Sequence, residues 1–349
     1  MPVIEHLELH HFRNYSRGVF DFDAPATVLT GHNGAGKSNL LEAVFFLSIL
    51  RSFRTAGLRE MIQLGERGFL LNATVRKVHY PVTLEIEQSA GARQLRIDQV
   101  PIRRSSEFIR EFRAVAFAPE DKLIVSGASS CRRKFFDMFI SVMEPGYLTA
   151  LQRYAASLSR RNAALRNPSA GALAIAAAFE PELAETAAVI RPARRRWSAK
   201  ICNRVNELLG QNRLQCLYDP EDPDDPAAYQ EKLCNQRQRD RKRGFTTFGP
   251  QVDEFQFLLD GKVLRSFGSN GQLRLMSLYL KMAEFSLVRE EGSSPVIALV
   301  DDVTGELDQP SRENFFHLLK QADQCLFTFT ELPQDPFFQQ AQHLMLNRN

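Results

Sequence analysis

A glycine-rich turn that runs into lysine and serine constrains this chain more than any other stretch. Residues 31–38 read GHNGAGKS, the Gly31-x-x-x-x-Gly36-Lys37-Ser38 spacing of a phosphate-binding loop. Gly34 and Gly36 free the backbone to turn its N–H groups inward, where a Cβ would obstruct. Those groups and the start of the next helix suit an anionic phosphate. The candidate cradle is Gly31, His32, Asn33, Gly34, Ala35, Gly36, Lys37 and Ser38. Lys37 has the reach for β- and γ-phosphates, and the Ser38 hydroxyl suits Mg²⁺. The flanks agree: ATVLT (26–30) reads as a short buried strand and residues 39–50 as a helix. Strand, loop and helix in that order predict an α/β fold with ATP and Mg²⁺ as cofactors.

Such a site also needs a carboxylate for the metal. PVIALVDD (295–302) offers one: Val296 to Val300 is a continuous apolar run, as in a parallel strand covered on both faces. Asp301 and Asp302 follow at its C-terminal end, where α/β sheets bind ligands. Asp301 is the candidate Mg²⁺ partner, and Asp302 the candidate that polarises the attacking water. Residues 39–295 separate the two motifs, so the core is expected to be built from both ends of the chain around a large insertion. A third motif, GSNGQLR (268–274), carries Ser269, Gly271 and Gln272 before an apolar helical run to residue 291. In ABC-type ATPases a Ser-x-Gly-Gln motif closes over ATP held by a second subunit; a plain serine N-cap is the other reading. Glu306-Leu307-Asp308 resembles the D-loop of that dimer interface, and Thr328 or Thr330 on the strand 324–331 is expected near the γ-phosphate.

The chain of 349 residues exceeds the size of one usual hydrophobic core, which predicts two subdomains. No run of about 18 apolar residues is present, so no membrane partner is expected. MPVIEHLELH lacks the apolar core of a secretion signal. Five scattered cysteines with no CxxC pair predict free thiols and a cytoplasmic location.

Together these blocks resemble the RecF family, compact relatives of SMC and ABC-type ATPase heads. LELHHFRNY (7–15) resembles the family's opening strand and Phe-Arg-Asn-Tyr signature, and residues 31–55 its phosphate loop and Arg-Ser-Phe-Arg segment. AVAFAPEDKLIVSGASSCRRKFFD (114–137) and RYAASLSRRNAALR (153–166) resemble its Phe-x-Pro-Glu-Asp block and the start of its helical lobe. There are departures: Gln251 and Val252 stand where the family has His-Arg, Leu273 where it has glutamine, and Gly305 where it has serine. The resemblance implies a P-loop NTPase head of ABC/SMC type with an inserted all-helical lobe. Its expected parts are core 1–130 with 244–349, lobe 131–215, and a connecting segment 216–243. It further implies an ATP-dependent DNA-binding protein of recombinational repair, needed for replication and the SOS response. In that reading an ATP-dependent homodimer clamps single-stranded or gapped duplex DNA, RecR and RecO are partners, and a weak DNA-stimulated ATPase reopens the clamp.

Basic residues cluster in four places, and arginine at helical spacing suits phosphate contacts. The DNA-binding candidates are Arg132, Arg133, Arg160, Arg161, Arg194, Arg195 and Arg196, with RQRDRKR (237–243) as a further group. A solvated helix face is the other reading of each. Two functional alternatives remain open from the motifs alone: an ATPase subunit of another ABC system, and a clamp that binds ATP without hydrolysing it.

Overall fold

The computed structural model describes residues 1–54, 57–77, 80–89, 91–109, 111–169, 171–220, 223–292, 294–303 and 308–347. Two compact units emerge: Met1–Lys122 with Ser277–Asn349, and Leu123–Met276.

The first unit holds two sheets. One has six antiparallel strands in the order β2-β1-β4-β5-β6-β7. They are β1 (Ile4–Phe12), β2 (Tyr15–Asp21), β4 (Gly68–Arg76), β5 (Pro81–Ser89), β6 (Arg93–Ile97) and β7 (Val100–Ile102). Phe69, Leu71, Ala73 and Val75 alternate inward along β4, as a half-buried strand requires. In β1 the buried residues are Ile4, Leu7, Leu9 and Phe12; a register shift between Ile4 and His6 accounts for the first break in alternation.

The other sheet is parallel, in the order β14-β3-β13-β12-β8, with β3 (Ala26–Thr30), β8 (Arg113–Phe117), β12 (Val296–Asp301), β13 (Gln324–Thr328) and β14 (Gln342–Met345). All residues of β12 and β13 are buried, as the apolar run Val296–Val300 predicts for β12. Helix α1 (Lys37–Ile49) lies against β8, β12 and β13 and also touches β1. Every residue from Leu40 to Ile49 is buried, Glu42 and Ser48 among them, because the helix has sheet on more than one side. The Gln324 side chain also ties the sheets, accepting from Val3 and Ile4 N–H and donating to Ile4 O. Helices α2 (Ser105–Phe108) and α11 (Gln309–Leu319) complete this unit.

After α3 (Lys122–Ser126), the second unit is built from α4 (Ser129–Met143), α5 (Pro145–Arg166), α6 (Ala172–Ala177), α7 (Glu180–Leu209) and α8 (Pro226–Arg243). It is not wholly helical. Strands β9 (Leu214–Leu217), β10 (Gln256–Leu259) and β11 (Lys262–Val263) form a small antiparallel sheet. Because β10 pairs with β9, residues 244–276 belong with the insertion rather than with the core expected from the sequence. The segment expected as a connector contains α8, which packs on α7. Helix α9 (Leu264–Phe267) leads into α10 (Asn270–Glu291), whose later turns lie in the first unit.

Candidate functional site

The phosphate loop leaves the C-terminal end of β3 and enters α1. Gly31, Gly34 and Gly36 all adopt positive φ, at 146°, 84° and 101°. Space also demands glycine at two of them. A Cβ on Gly31 would stand 2.4 Å from Leu346 O, and one on Gly36 2.6 Å from Tyr15 Oη. Lys37 arches back across the loop, its Nζ donating to Gly31 O at 2.5 Å and His32 O at 3.1 Å.

Strand order brings the distant acid to this loop. β13 lies between β3 and β12, with Thr328 in register with Asp301 on one side and Leu29 on the other. Asp301 Oδ1 accepts from Ser38 Oγ at 2.7 Å and from Thr328 Oγ1 at 2.7 Å. Residues 263 positions apart thus meet in one hydrogen bond. Asp302 is exposed, with φ 51°, so the chain turns sharply at the strand end and the two carboxylates take different surroundings. Asp302 and Thr330 line the same cleft, of about 240 Å³, as Lys37, Ser38 and Asp301. A hydroxyl and a carboxylate are hard oxygen donors, which fits Mg²⁺. No cluster of three or more His, Cys, Asp or Glu suited to a metal exists among the described residues.

Several contributors escaped the reading by motif. Asn14 donates toward Gly34 O at 3.5 Å, and Tyr15 Oη donates to Gly36 O at 3.1 Å, so the turn after β1 props the loop from beneath. Burial pushes the Tyr15 phenol well above its ordinary value, keeping it a donor. Asn39 donates to Asn14 and accepts from Arg54 Nη1, each at 2.7 Å, which sets Arg54 on the cleft wall. Behind them Glu42 is fully buried within α1 and takes two hydrogen bonds from Arg13, at 2.8 and 2.7 Å. The available signal was Glu42 itself: a carboxylate inside an apolar helix needs a partner, and Phe-Arg-Asn-Tyr supplies it.

Ser269 and Gln272 form a reciprocal cap at the start of α10. Ser269 N–H donates to Gln272 Oε1 at 2.9 Å, and Gln272 N–H to Ser269 Oγ at 3.2 Å. Ser269, Gly271 and Gln272 are all exposed, so the cap leaves the helix start open to solvent. Of the D-loop residues, Gly305, Glu306 and Leu307 lie outside the described residues. Asp308 caps α11, accepting from Ser311 N–H at 2.9 Å.

The arginine clusters need correction. Arg132, Arg161 and Arg194 are buried and do not present a surface to DNA. Acids inside the lobe hold them. Arg161 meets Asp240 at 2.8 Å and Glu180 at 3.1 Å; Arg194 meets Asp137 at 2.9 Å and Asp253 at 3.3 Å; Arg132 pairs with Glu254. Arg133 is half-buried and donates to Asp253 O at 2.8 Å. Arg195 and Arg196 are exposed but paired with Asp224 and Glu144. Arg160 is exposed and has no ion pair among the described residues.

The profile of the RecF/RecN/SMC N-terminal domain matches residues 3–346. The DNA replication and repair protein RecF of Cyanothece sp. (strain PCC 7425) is 34% identical over 345 residues, covering 94% of this chain and 92% of that protein. RecF of Pediococcus pentosaceus is 30% identical over 344 residues, covering 93% and 91%. The chain belongs to the RecF family. Its fold is that of the family's ABC/SMC-type ATPase head, with mixed helices and sheets. It superposes on the recombination mediator protein RecF with ATP, in the RecFOR pathway, with a TM-score of 0.86 at 28% identity, covering 95% of this chain and 93% of that one. The RecF-ATPrS structure gives 0.82, also at 28% identity, covering 94% and 92%. An Smc head bound to the C-winged helix domain of ScpA shares the fold alone, at 15% identity, a TM-score of 0.50 and coverage of 95% and 90%. No described helix is long and apolar enough to cross a membrane.

Proposed function

We propose that this RecF-family chain is an ATP-dependent DNA-binding protein of recombinational repair, serving replication, gap repair and the SOS response in the cytoplasm. The observation that carries the reading is the convergence of Ser38, Asp301 and Thr328 beside the phosphate loop. Ser38 and Asp301 are the residues that would hold Mg²⁺, which neutralises phosphate charge when bound. As nucleotide binds, Lys37 exchanges the Gly31 and His32 carbonyls for phosphate oxygens. Thr328 holds Asp301 in one rotamer, and Asp302 orients and polarises the attacking water. Asp302 is one methylene shorter than glutamate and reaches less far, so hydrolysis is slow and acts as a timer. A second copy of the chain closes the site with Ser269 and Gly271 at its helix start, so that ATP favours a dimer clamped on single-stranded or gapped DNA. RecR and RecO are the proposed partners, a reading supported by the RecFOR pathway named for the related structures.

The test is light scattering of the chain with and without ATP, Mg²⁺ and gapped duplex. The parent should dimerise with ATP and bind the DNA. Lys37→Ala should remain monomeric, because the phosphates lose their cationic partner. A Lys37→Ala protein that dimerises as the parent does would remove the phosphate loop from the switch.

A further inference from the structure

The lobe's arginines divide into two kinds. Most are answered by carboxylates: Arg153 by Glu182, Arg195 by Asp224, Arg196 by Glu144, Arg213 by Asp260 and Arg237 by Glu180. Arg160 and Arg265 are exposed without an ion pair among the described residues, and the end of the lobe where α5 and α8 both stop gathers several such side chains. There Arg166, Arg239, Lys242 and Arg243 are exposed, and none has a carboxylate partner among the described residues.

Three contacts bring these ends together. Arg241 donates to Pro168 O at 3.3 Å and Ser169 O at 3.4 Å, tying α8 to the loop after α5. Gly244, at φ 76°, ends α8, and a Cβ there would stand 3.2 Å from Arg166 Cγ, so the Arg166 stem crosses this turn. Thr246 N–H donates to Asn162 of α5 at 2.8 Å, one helical turn before Arg166. Phe245 sits in the same turn with 48% of its surface exposed. Basic residues in a last helical turn offset the helix dipole, but that needs one or two charges, not a cluster drawn from two helices. Unpaired like charges gathered on one end repel one another and gain from a polyanion.

We infer that the joined C-terminal ends of α5 and α8 form the lobe's nucleic-acid contact, with Arg166, Arg239, Lys242 and Arg243 on backbone phosphates and Phe245 offering a stacking face. This rests on the DNA-binding reading above; of the basic groups in the sequence it keeps the 237–243 run and moves the contact away from Arg132, Arg133, Arg160, Arg161 and Arg194–Arg196. The ligand is DNA rather than an acidic protein because the cluster is mostly guanidinium, suited to phosphate, and has an exposed aromatic ring beside it.

The experiment is DNA binding by full-length protein across a salt series, on gapped duplex and on single strands. Arg239→Gln/Lys242→Gln/Arg243→Gln should keep ATP-driven dimerisation and lose at least tenfold in duplex affinity. Its log–log salt slope should flatten by about 0.9 for each phosphate that the variant no longer neutralises. Arg195→Gln/Arg196→Gln should bind as the parent does. Phe245→Ala should cost single strands about tenfold and duplex much less. A triple variant with the parent's affinity and slope would overturn the inference, leave DNA binding itself intact, and return the patch to an acidic protein partner. An equal loss on both substrates for Phe245→Ala would overturn the stacking face. A parent that binds no DNA would bring down the functional reading first.

Discussion

Asp301 and Asp302 are neighbours in sequence with different surroundings, and the roles proposed for them rest on that difference. Asp301 is buried between two hydroxyls, while Asp302 is exposed beyond the strand end. Asp302→Asn should therefore keep ATP bound, lengthen the life of the ATP dimer and lower turnover by at least tenfold. Single-turnover hydrolysis with light scattering checks this; unchanged turnover would take the water-activating role away from Asp302. Asp121 makes a different test. Its Oδ2 accepts from Ala118 N–H at 2.8 Å. Burial pushes its carboxyl up to about 7, against the pull of Lys281 and with Glu284 and Glu120 also facing it. The unfolded chain releases this proton near 3.8, so the folded state holds the extra proton between about 4 and 7. Stability from the neutral form is then full below pH 4 and lost as pH rises towards 7. Asp121→Asn keeps the acceptor oxygen and cannot ionise. It should raise Tm at pH 8, with a gain that vanishes near pH 4. Solvent reaches this half-buried loop, so the gain is on the order of 1 kcal/mol. A gain independent of pH would show that Asp121 does not titrate this way.

At the scale of elements, buried ion pairs join the helices of the second unit alongside their apolar packing. Arg161 on α5 is fully buried and joins Glu180 at the start of α7 to Asp240 near the end of α8. Removing it leaves two buried carboxylates short of a partner, although Glu180 keeps Arg237 and Asp240 keeps Thr247. Arg161→Ala should destabilise the protein by about 3 kcal/mol, whereas Arg195→Ala, whose pair is exposed, should cost under about 1 kcal/mol. Urea unfolding of both variants checks the contrast. Equal costs would mean that the Arg161 network contributes no more than a surface pair. The first unit uses another device. Its central strands β12 and β13 are buried throughout and α1 along most of its length, with Asp301 and Thr328 at strand ends and Glu42 within the helix.

For the whole molecule, the proposed clamp needs two chains, and Ser269 tests it. The hydroxyl accepts from the Gln272 N–H, and the exposed start of α10 presents further N–H groups to a phosphate. Ser269→Arg should leave ATP affinity of the monomer nearly unchanged and block the closed dimer by bulk. A Ser269→Arg subunit retains its phosphate loop, and a Lys37→Ala subunit retains its Ser269. Their mixture should therefore hydrolyse ATP when neither does alone. Weakened ATP binding by monomeric Ser269→Arg would assign the serine to its own chain's site and end the trans arrangement.

Local spacing alone was enough for the phosphate loop, the strand 26–30 that leads into it, the Asp-Asp strand and the helix after Ser269. Each of these signals sits within a few neighbouring residues: glycine freedom, an unbroken apolar run, a 3.6-residue period. The bond from Ser38 to Asp301, the Asn14–Asn39–Arg54 chain and the sheet of β9, β10 and β11 join residues far apart, so tertiary structure decided them. The arginines make the sharpest case. By type and spacing Arg161, Arg194 and Arg195 look alike, yet two are buried against acids and one is not. Burial depends on what the rest of the chain packs around a side chain, and neither a residue's type nor its near neighbours in sequence specify that.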